Sequence, residues 1–425
     1  MVSTSTGSGR KPAVRRTAPA AGRAADAGSA KASAPRRGRV KRLLIWLEGS
    51  EHDATGGAYY WILGTTLALT AIGLMMVLSA SSVESIAAAA GEPLGASTFD
   101  LFVNQSIFAA VGVAAMLGLS RIPPSWYPAI GWIAMVVAAG LLVAVLLVGE
   151  EVNGNKNWIR IGPIQGQPSE AAKLAMAIWF AAVLSRKGRL INQPKHAFVP
   201  VVPGGGVLIL LVVLGKDLGT VIIMGLIMLA ALFFAGAPLR LLGLMSALGV
   251  GAGLLLSVFS GNRSSRISAW LKLDCSGGLC DQANAGMYAL ASGGWWGVGI
   301  GQSRQKWNWI PEAHNDFIFA IIGEEFGLLG TLVIIGLFAA LALATIRVMV
   351  RHTAPFARIA CGSILVWIVG QAFVNIAMVT GLAPVIGIPL PFISYGGSSL
   401  LFTLAAVGVL LSFARKIPQK EVPAS

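Results

Sequence analysis

Long apolar segments recur along the chain between short polar breaks, and they restrict the fold more than any other feature of the sequence. A transmembrane helix needs about 20 mostly apolar residues to cross a hydrocarbon core of roughly 30 Å. The fourth and fifth segments are the short ones. We therefore expect an all-α, polytopic membrane protein with about ten transmembrane helices, at residues 59–82, 104–120, 127–148, 171–184, 199–214, 218–235, 241–260, 316–345, 359–379 and 398–414.

The overall composition excludes three other classes of protein. Of the 425 residues, 55% are hydrophobic and 12% are charged, whereas roughly 25% are charged in an ordinary soluble domain. This balance excludes a soluble globular protein, and the apolar fraction is too high for a disordered chain. Three cysteines are too few for a small scaffold held together by disulfides.

The positive charge is concentrated at the amino terminus. The formal net charge is +14, and residues 1–47 supply +10 of it, with 11 Lys and Arg against Asp26 alone. We interpret residues 1–58 as a disordered basic cytoplasmic tail with a juxtamembrane segment, 59–414 as the membrane domain and 415–425 as a short cytoplasmic tail. Such a tail is typical of topology control and of attraction to anionic lipid headgroups, so no nucleic acid is expected as a partner.

The loops between the apolar segments alternate in charge. The loops on the side of the amino terminus carry 12 basic residues and one acid, Glu421, whereas those on the other side carry 8 basic and 10 acidic residues. Cytoplasmic loops of membrane proteins have an excess of Lys and Arg. We therefore expect a multi-pass protein with both termini in the cytoplasm.

The largest predicted external loop, 261–315, joins the seventh and eighth segments and is too long to be only a connector. Its five tryptophans suit either an interfacial belt or stacking on a sugar. The loop ends where the eighth segment begins, at Asn315 and Asp316. Either residue could simply cap that helix. Alternatively, an external carboxylate at the edge of a membrane cavity could serve as a general base.

The cysteines fall into two groups. Cys275 and Cys280 lie in the external loop, where oxidation is permitted, so we predict a disulfide between them. Cys361 lies within the ninth apolar segment and is expected to be a small apolar filler. Glu324 and Glu325 lie within the eighth segment and are expected to pair with groups on neighbouring helices.

A charged pair begins the fourth segment. Glu170 and Lys173 are three residues apart, hence on nearly the same helical face, and Ser169 is predicted to cap the helix. Charges at membrane depth are costly unless they are paired or hydrated. The pair is therefore either a structural ion pair or a cationic centre for a phosphate group, with the carboxylate tuning the ammonium.

Two further segments on the predicted external side have sequences that do not predict a regular helix. Asp217 follows a Gly-Lys dipeptide between the fifth and sixth segments, where it could cap a helix after a tight turn. Residues 381–399 are uncharged and interrupted by Pro and Gly. Broken backbone is tolerated at membrane depth only where it lies against protein or lines a wet cavity.

Four of these stretches, in this order, resemble the SEDS family of membrane glycosyltransferases, which polymerise peptidoglycan: Gln167–Glu170, Asp217–Thr220, Pro311–Phe319 and Pro389–Ser399. The resemblance covers about residues 59–414 and implies the ten-span SEDS fold with a large extracytoplasmic loop between helices 7 and 8. Within the family, the stretch Lys306–Asp316 looks most like the actinobacterial division group, FtsW. A division role is therefore expected ahead of a RodA-like role in elongation.

The resemblance also assigns roles to particular residues. Asp316 matches the catalytic aspartate of the family, and Glu170 and Lys173 match an acid and a base. Asp217 matches an aspartate that Gln-Pro usually precedes, and Gly215 and Lys216 replace that dipeptide here. The residues expected to bind substrate are Glu170, Lys173, Trp158, Arg160, Asp217, Lys306, Glu312, Ser394 and Ser398.

The implied substrate is lipid II, a disaccharide-pentapeptide on a polyprenyl diphosphate. Asp316 is expected to deprotonate the 4-hydroxyl of the acceptor GlcNAc, which attacks the anomeric carbon of the donor MurNAc with inversion. Lys173, Arg160 and Lys306 would stabilise the departing diphosphate, with or without a divalent cation. The four histidines are scattered, so no protein metal site is predicted.

The resemblance further implies a bacterial plasma membrane, the division septum, divisome proteins and a class B penicillin-binding protein as the transpeptidase partner. The alternatives are a lipid II flippase or other transporter, an elongation-type polymerase, and a scaffold without catalysis. Many spans and intramembrane charges also describe transporters. An external carboxylate suits chemistry on the outer face better than passage through the membrane.

Overall fold

The computed structural model describes residues 57–91, 99–152, 154–162, 164–193, 198–199, 201–258, 261–276, 280–306 and 314–415. All the described residues belong to one compact unit within Ile45–Ser425. The predicted basic tail before residue 57, Glu312, and the segment after residue 415 lie outside the described residues.

Each predicted apolar segment falls on one α-helix, with ends that differ by up to nine residues. The mostly helical fold is therefore confirmed. The helices are α1 (Ala58–Gly91), α2 (Asp100–Leu119), α3 (Tyr127–Val148), α4 (Pro168–Ser185), α5 (Val201–Leu214), α6 (Leu218–Ala235), α7 (Leu239–Val258), then α8 (Gly261–Trp270) and α9 (Asp281–Ser292) in the large loop, and α10 (Ile318–Arg351), α11 (Pro355–Val379) and α12 (Gly397–Arg415).

Local sequence signals explain several helix ends. Proline lies in the first turn of α3, α4 and α11, where its fixed φ suits a helix start and its missing N–H is not needed. Gly236 ends α6 with φ 92°, a left-handed conformation that costs glycine little. Seven of the helices are long and apolar enough to cross a membrane, whereas Val201–Leu214 and Leu239–Leu255 are shorter. The count of ten spans stays a prediction.

The segment before α4 contains a small sheet that the all-α expectation did not include. Strands β1 (Glu150–Val152), β2 (Asn155–Ile161) and β3 (Ile164–Gly166) pair antiparallel in the order β1-β2-β3. Gly154 and Gly162 have positive φ at the two turns, a conformation that glycine adopts readily. The strands are too short for periodicity to separate them from loop.

The buried centre of the bundle consists of α4, α11 and α12. Helix α4 packs against α3, α6 and α11, and in the apolar window of α12 78% of the residues are buried, against 22% in that of α2. Large apolar side chains on the outer helices are exposed, for example Val136 at 71% on α3. Exposed apolar faces of this kind suit contact with lipid.

Helix α10 is interrupted near its amino-terminal end. Gly327 has φ 65° and ψ −163°, which no other residue type adopts readily. The glycine-rich stretch 293–301 forms hydrogen bonds with the backbone at the interruption. Val298 N–H donates to the Glu324 carbonyl at 2.9 Å, and Leu328 N–H donates to the Gly294 carbonyl at 2.9 Å. The backbone groups that the interruption releases are therefore paired with the loop.

Candidate active site

A buried ion pair lies in the first two turns of α4. Lys173 Nζ is 2.9 Å from Glu170 Oε2, and both side chains are at most 3% exposed. The helix begins at Pro168 with Gln167 in the N-cap position, so the expected cap at Ser169 is wrong by two residues, since proline sets the start of the helix. Glu170 and Lys173 are in contact, as their spacing of three residues predicted.

The Lys173 ammonium is also held by α11. Lys173 Nζ donates to Gln371 Oε1 at 3.1 Å, and Trp367 Nε1 donates to the same oxygen at 3.1 Å. The ammonium lies 5.1 Å from the centroid of the Trp367 ring, within reach of a cation–π interaction. Gln371 Nε2 in turn donates to the Pro389 carbonyl at 2.9 Å. The cation is thereby fixed relative to the loop between α11 and α12.

Asp316 lies in the turn that leads into α10. The helix begins at Ile318, and its N-cap position is Phe317, one residue after Asp316. The Asp316 carbonyl accepts from Asn375 Nδ2 at 2.8 Å, and the same nitrogen donates to the Ile388 carbonyl at 2.7 Å. The Asp316 carboxylate faces Gly387, since a Cβ built there would lie 3.4 Å from Oδ2. Asp316 is partly exposed.

Two charged residues are linked to one face of α11. Gln371 contacts Lys173, Asn375 contacts Asp316, and the two amides are four residues apart, hence on the same side of the helix. The Lys173 ammonium and the main chain of Asp316 are thus attached to a common support. The support holds a carboxylate that can accept a proton and an ammonium that can stabilise a phosphate leaving group.

Asp217 caps α6 and links this helix to neighbouring elements. Its carboxylate accepts from Thr220 N–H at 3.0 Å and from the Thr220 hydroxyl at 2.8 Å, which caps α6. It also accepts from Asn157 Nδ2 at 3.0 Å and from Gln167 Nε2 at 2.8 Å. These bonds connect β2 and the start of α4 to α6. The geometry therefore favours a structural role for Asp217.

The hydroxyl groups of the two predicted serines form hydrogen bonds with main-chain groups. The Ser394 hydroxyl donates to the Asn315 carbonyl at 2.7 Å and accepts from Leu390 N–H at 2.7 Å. The Ser398 hydroxyl accepts from Gln167 N–H at 3.2 Å. Residues 389–399 are thereby connected to the turn at Asp316 and to the start of α4, which explains why uncharged broken backbone is stable there.

Three other predicted cationic or aromatic contacts lie apart from this centre. Arg160 is exposed on the sheet and pairs with Glu150 at 3.3 Å, and Trp158 lies in the same strand. Lys306 is buried, 3.5 Å from Glu325 Oε1, and donates to the Gly301 carbonyl at 2.9 Å. Among the described residues, Lys306 therefore has Glu325 as a structural partner. The contacts of Arg160 do not include Lys173.

Both carboxylates in α10 are paired, Glu325 with a neighbouring helix as expected and Glu324 with a loop instead. Glu325 accepts from the Ser79 hydroxyl of α1 at 2.6 Å. Glu324 accepts from Arg304 N–H at 3.0 Å, from Gln305 N–H at 3.3 Å and from the Ser303 hydroxyl. These bonds hold the loop after the glycine-rich stretch.

The loop between α7 and α10 contains the predicted disulfide between Cys275 and Cys280, with a sulfur–sulfur distance of 2.05 Å. Beside it, Ser276 N–H donates to the Asp274 carboxylate at 2.9 Å, and this bond lowers the pKa of that carboxyl. Cys361 is a free, buried thiol. Among the described residues, no group of three or more His, Cys, Asp and Glu side chains could hold a metal ion.

Sequence reasoning missed Trp367, Gln371 and Asn375. They recur at intervals of four residues within an otherwise apolar predicted span, and that spacing of polar groups was the available signal. Their partners lie on other elements, so the sequence could not identify what they contact.

Comparison with known proteins identifies the family of this chain. A family model described as "Cell cycle protein", which represents FtsW, RodA and SpoVE, matches residues 60–418. The chain belongs to the FtsW/RodA/SpoVE family. The resemblance to SEDS proteins is therefore confirmed.

Curated members of the FtsW/RodA/SpoVE family align over most of the chain. The "Probable peptidoglycan glycosyltransferase FtsW" of Mycobacterium tuberculosis is 38% identical over 367 residues, covering 85% of this chain and 68% of the relative. "Stage V sporulation protein E" of Bacillus subtilis is 36% identical over 353 residues, covering 82% of this chain and 95% of the relative.

Solved structures of the FtsW/RodA/SpoVE fold also match. A chain described under "Structural coordination of polymerization and crosslinking by a peptidoglycan synthase complex" has a TM-score of 0.67 at 24% identity, with 85% of this chain and 98% of that chain covered. Thermus thermophilus RodA has a TM-score of 0.60 at 24% identity, with coverages of 84% and 97%. At these identities the likeness establishes the fold.

Proposed function

We propose that the protein is a peptidoglycan glycosyltransferase that polymerises lipid II, with Asp316 as its general base. The observation that carries the proposal is the attachment of Asp316 and the Glu170–Lys173 pair to one face of α11, through Asn375 and Gln371. Curated relatives that are named probable peptidoglycan glycosyltransferases support the reaction class.

In this mechanism Asp316 accepts the proton of the acceptor GlcNAc 4-hydroxyl. The hydroxyl oxygen forms a bond to the anomeric carbon of the donor MurNAc while the bond from that carbon to the diphosphate oxygen breaks, with inversion. A base on the face opposite the leaving group is what inversion requires. Lys173 stabilises the negative charge that develops on the departing polyprenyl diphosphate, and Glu170 balances the ammonium in the free enzyme.

The setting proposed for this reaction is the outer face of the plasma membrane at the division septum. The excess of basic residues in alternate loops supports cytoplasmic termini, which puts Asp316 outside. A class B penicillin-binding protein and other divisome proteins are the proposed partners. The fold match to a chain from a peptidoglycan synthase complex and the relatives named FtsW support these assignments.

Synthesis of glycan strands by the purified protein from lipid II tests the proposal. We expect Asp316→Asn to lower the rate of polymerisation at least about 100-fold, because general-base catalysis contributes roughly 10²–10⁴-fold. The melting temperature should be unchanged. Asp281→Asn is the matched control, since Asp281 is an exposed carboxylate in the first turn of α9.

Undiminished turnover by Asp316→Asn would overturn the base assignment. Movement of lipid II across vesicle membranes without strand synthesis would support the flippase alternative instead. Rescue of cells depleted of their elongation polymerase, but not of their division polymerase, would reassign the protein to the elongation group.

A further inference from the structure

The two amides on α11 are buried in a helix that is otherwise suited to an apolar environment. Gln371 is 1% exposed and Asn375 is 0% exposed. A buried amide without hydrogen bonds is destabilising relative to an apolar residue of similar shape, and membrane burial leaves no water to compensate. Both amides therefore need defined partners at this depth, and their partners show what they hold.

The partners of the two amides divide into two sets. Gln371 connects the Lys173 ammonium to the Pro389 carbonyl. Asn375 connects the Asp316 carbonyl to the Ile388 carbonyl. The cation and the carboxylate-bearing turn are thus each fixed to adjacent residues of the same loop, through side chains one helical turn apart.

We propose that Gln371 and Asn375 are positioning residues for the transferase reaction. Gln371 holds the Lys173 ammonium and Asn375 holds the Asp316 turn, both relative to residues 387–389. The inference rests on the proposed function. Together the two amides set the separation between the base and the charge that stabilises the leaving group, which neither Asp316 nor Lys173 could fix alone.

A purely structural role, in which the amides only satisfy loop carbonyls, makes a different prediction. The loop carbonyls of Ile388 and Pro389 would need donors in either case. However, Gln371 Oε1 accepts from Lys173 and from Trp367 and not from the loop. Loss of loop support alone should affect binding and turnover together, whereas loss of positioning should lower turnover and leave binding nearly unchanged.

The test measures KM and kcat for lipid II with the purified full-length protein. Gln371→Met removes the bond to Lys173, and we expect kcat to fall about 10-fold with KM within about threefold, because Lys173 acts on charge that develops only in the transition state. Asn375→Leu releases the Asp316 turn, and we expect kcat to fall about 100-fold with KM within about threefold, since a displacement of about 1 Å can cost that much.

Ser363→Ala is the matched control. Ser363 is buried on the same helix and its hydroxyl donates to the carbonyl of Ile359 within that helix. Melting temperatures in detergent are measured for all variants, and lipid II binding by the Asp316→Asn and Asn375→Leu proteins is compared with that of wild type. Retained binding by Asn375→Leu supports the inference, even if its melting temperature falls.

Two outcomes would overturn the inference. In one, both variants behave like Ser363→Ala. In the other, KM and kcat change together in both variants, in proportion to lost stability. The proposed function fails separately, if Asp316→Asn still polymerises lipid II, so the two failures can be told apart.

Discussion

At the scale of single residues, burial of the Glu170–Lys173 pair has a large energetic consequence. Both side chains are at most 3% exposed. Removal of one member of a buried pair leaves an uncompensated charge and is typically destabilising by about 3–5 kcal/mol, whereas replacement of both members by apolar groups is often nearly neutral.

We therefore expect Glu170→Gln and Lys173→Met each to lower the melting temperature more than the double variant does. Thermal unfolding in detergent, analysed as a double-mutant cycle, measures the coupling. Strand synthesis should be lost wherever Lys173 is replaced. Additive losses of stability would show that the two charges do not depend on each other.

The spacing of Glu170 and Lys173 was sufficient to predict their contact, because residues three apart on a helix are neighbours regardless of the rest of the fold. The contacts of Lys306 were not predictable in this way. Its partners Ser79 and Glu325 are 227 and 19 residues away in the chain, and only the tertiary structure brings them together. The roles of Gln371 and Asn375 were not predictable for the same reason, because their partners also lie on other elements.

At the scale of structural elements, the start of α6 sets how closely the loop after α11 can approach. A Cβ on Gly219 would lie 3.1 Å from a side-chain carbon of Ile388 and 3.3 Å from the Ile386 carbonyl oxygen. The loop would have to shift by a few tenths of an ångström. Since Gly387 lies against the Asp316 carboxylate, that shift would reach the site.

We expect Gly219→Ala to lower the rate of strand synthesis by about 10-fold or more, because the geometry of reacting groups tolerates little displacement. Gly225→Ala is the control on the same helix, since its Cβ would meet nothing within 4 Å. It should be neutral or stabilising by up to about 1 kcal/mol. Equal activity of the two variants would indicate that the loop accommodates the methyl group.

The apolar segments predicted the long helices because length and hydrophobicity are local properties. Two other features were not predicted. The three-stranded sheet has strands of three to seven residues, too short for a reliable periodic signal. The break at Gly327 depends on a loop some 30 residues earlier in the chain that pairs with its free backbone groups.

At the scale of the whole molecule, the sidedness of the bundle can be measured with single cysteines. The free thiol Cys361 is 0% exposed, so a variant with Cys275 and Cys280 replaced by serine should give little background labelling. In that variant, we expect Lys272→Cys to react with a membrane-impermeant maleimide added to intact spheroplasts. Thr353→Cys should react only after the membrane is opened.

Both added positions are exposed, so a lack of reaction reports sidedness rather than burial. The opposite labelling pattern would place Asp316 on the cytoplasmic side and would remove the basis for strand synthesis outside the cell. Labelling of both positions from outside would contradict the alternation of basic loops.

The interruption at Gly327 also affects how a movement is transmitted along α10. Between residues 324 and 329, helical hydrogen bonds are replaced by bonds to residues 294–299. We therefore expect a tilt of residues 328–351 to bend the chain at this joint and not to displace the turn at Asp316. Movements that neighbouring membrane proteins impose on that part of α10 would then leave the position of Asp316 unchanged.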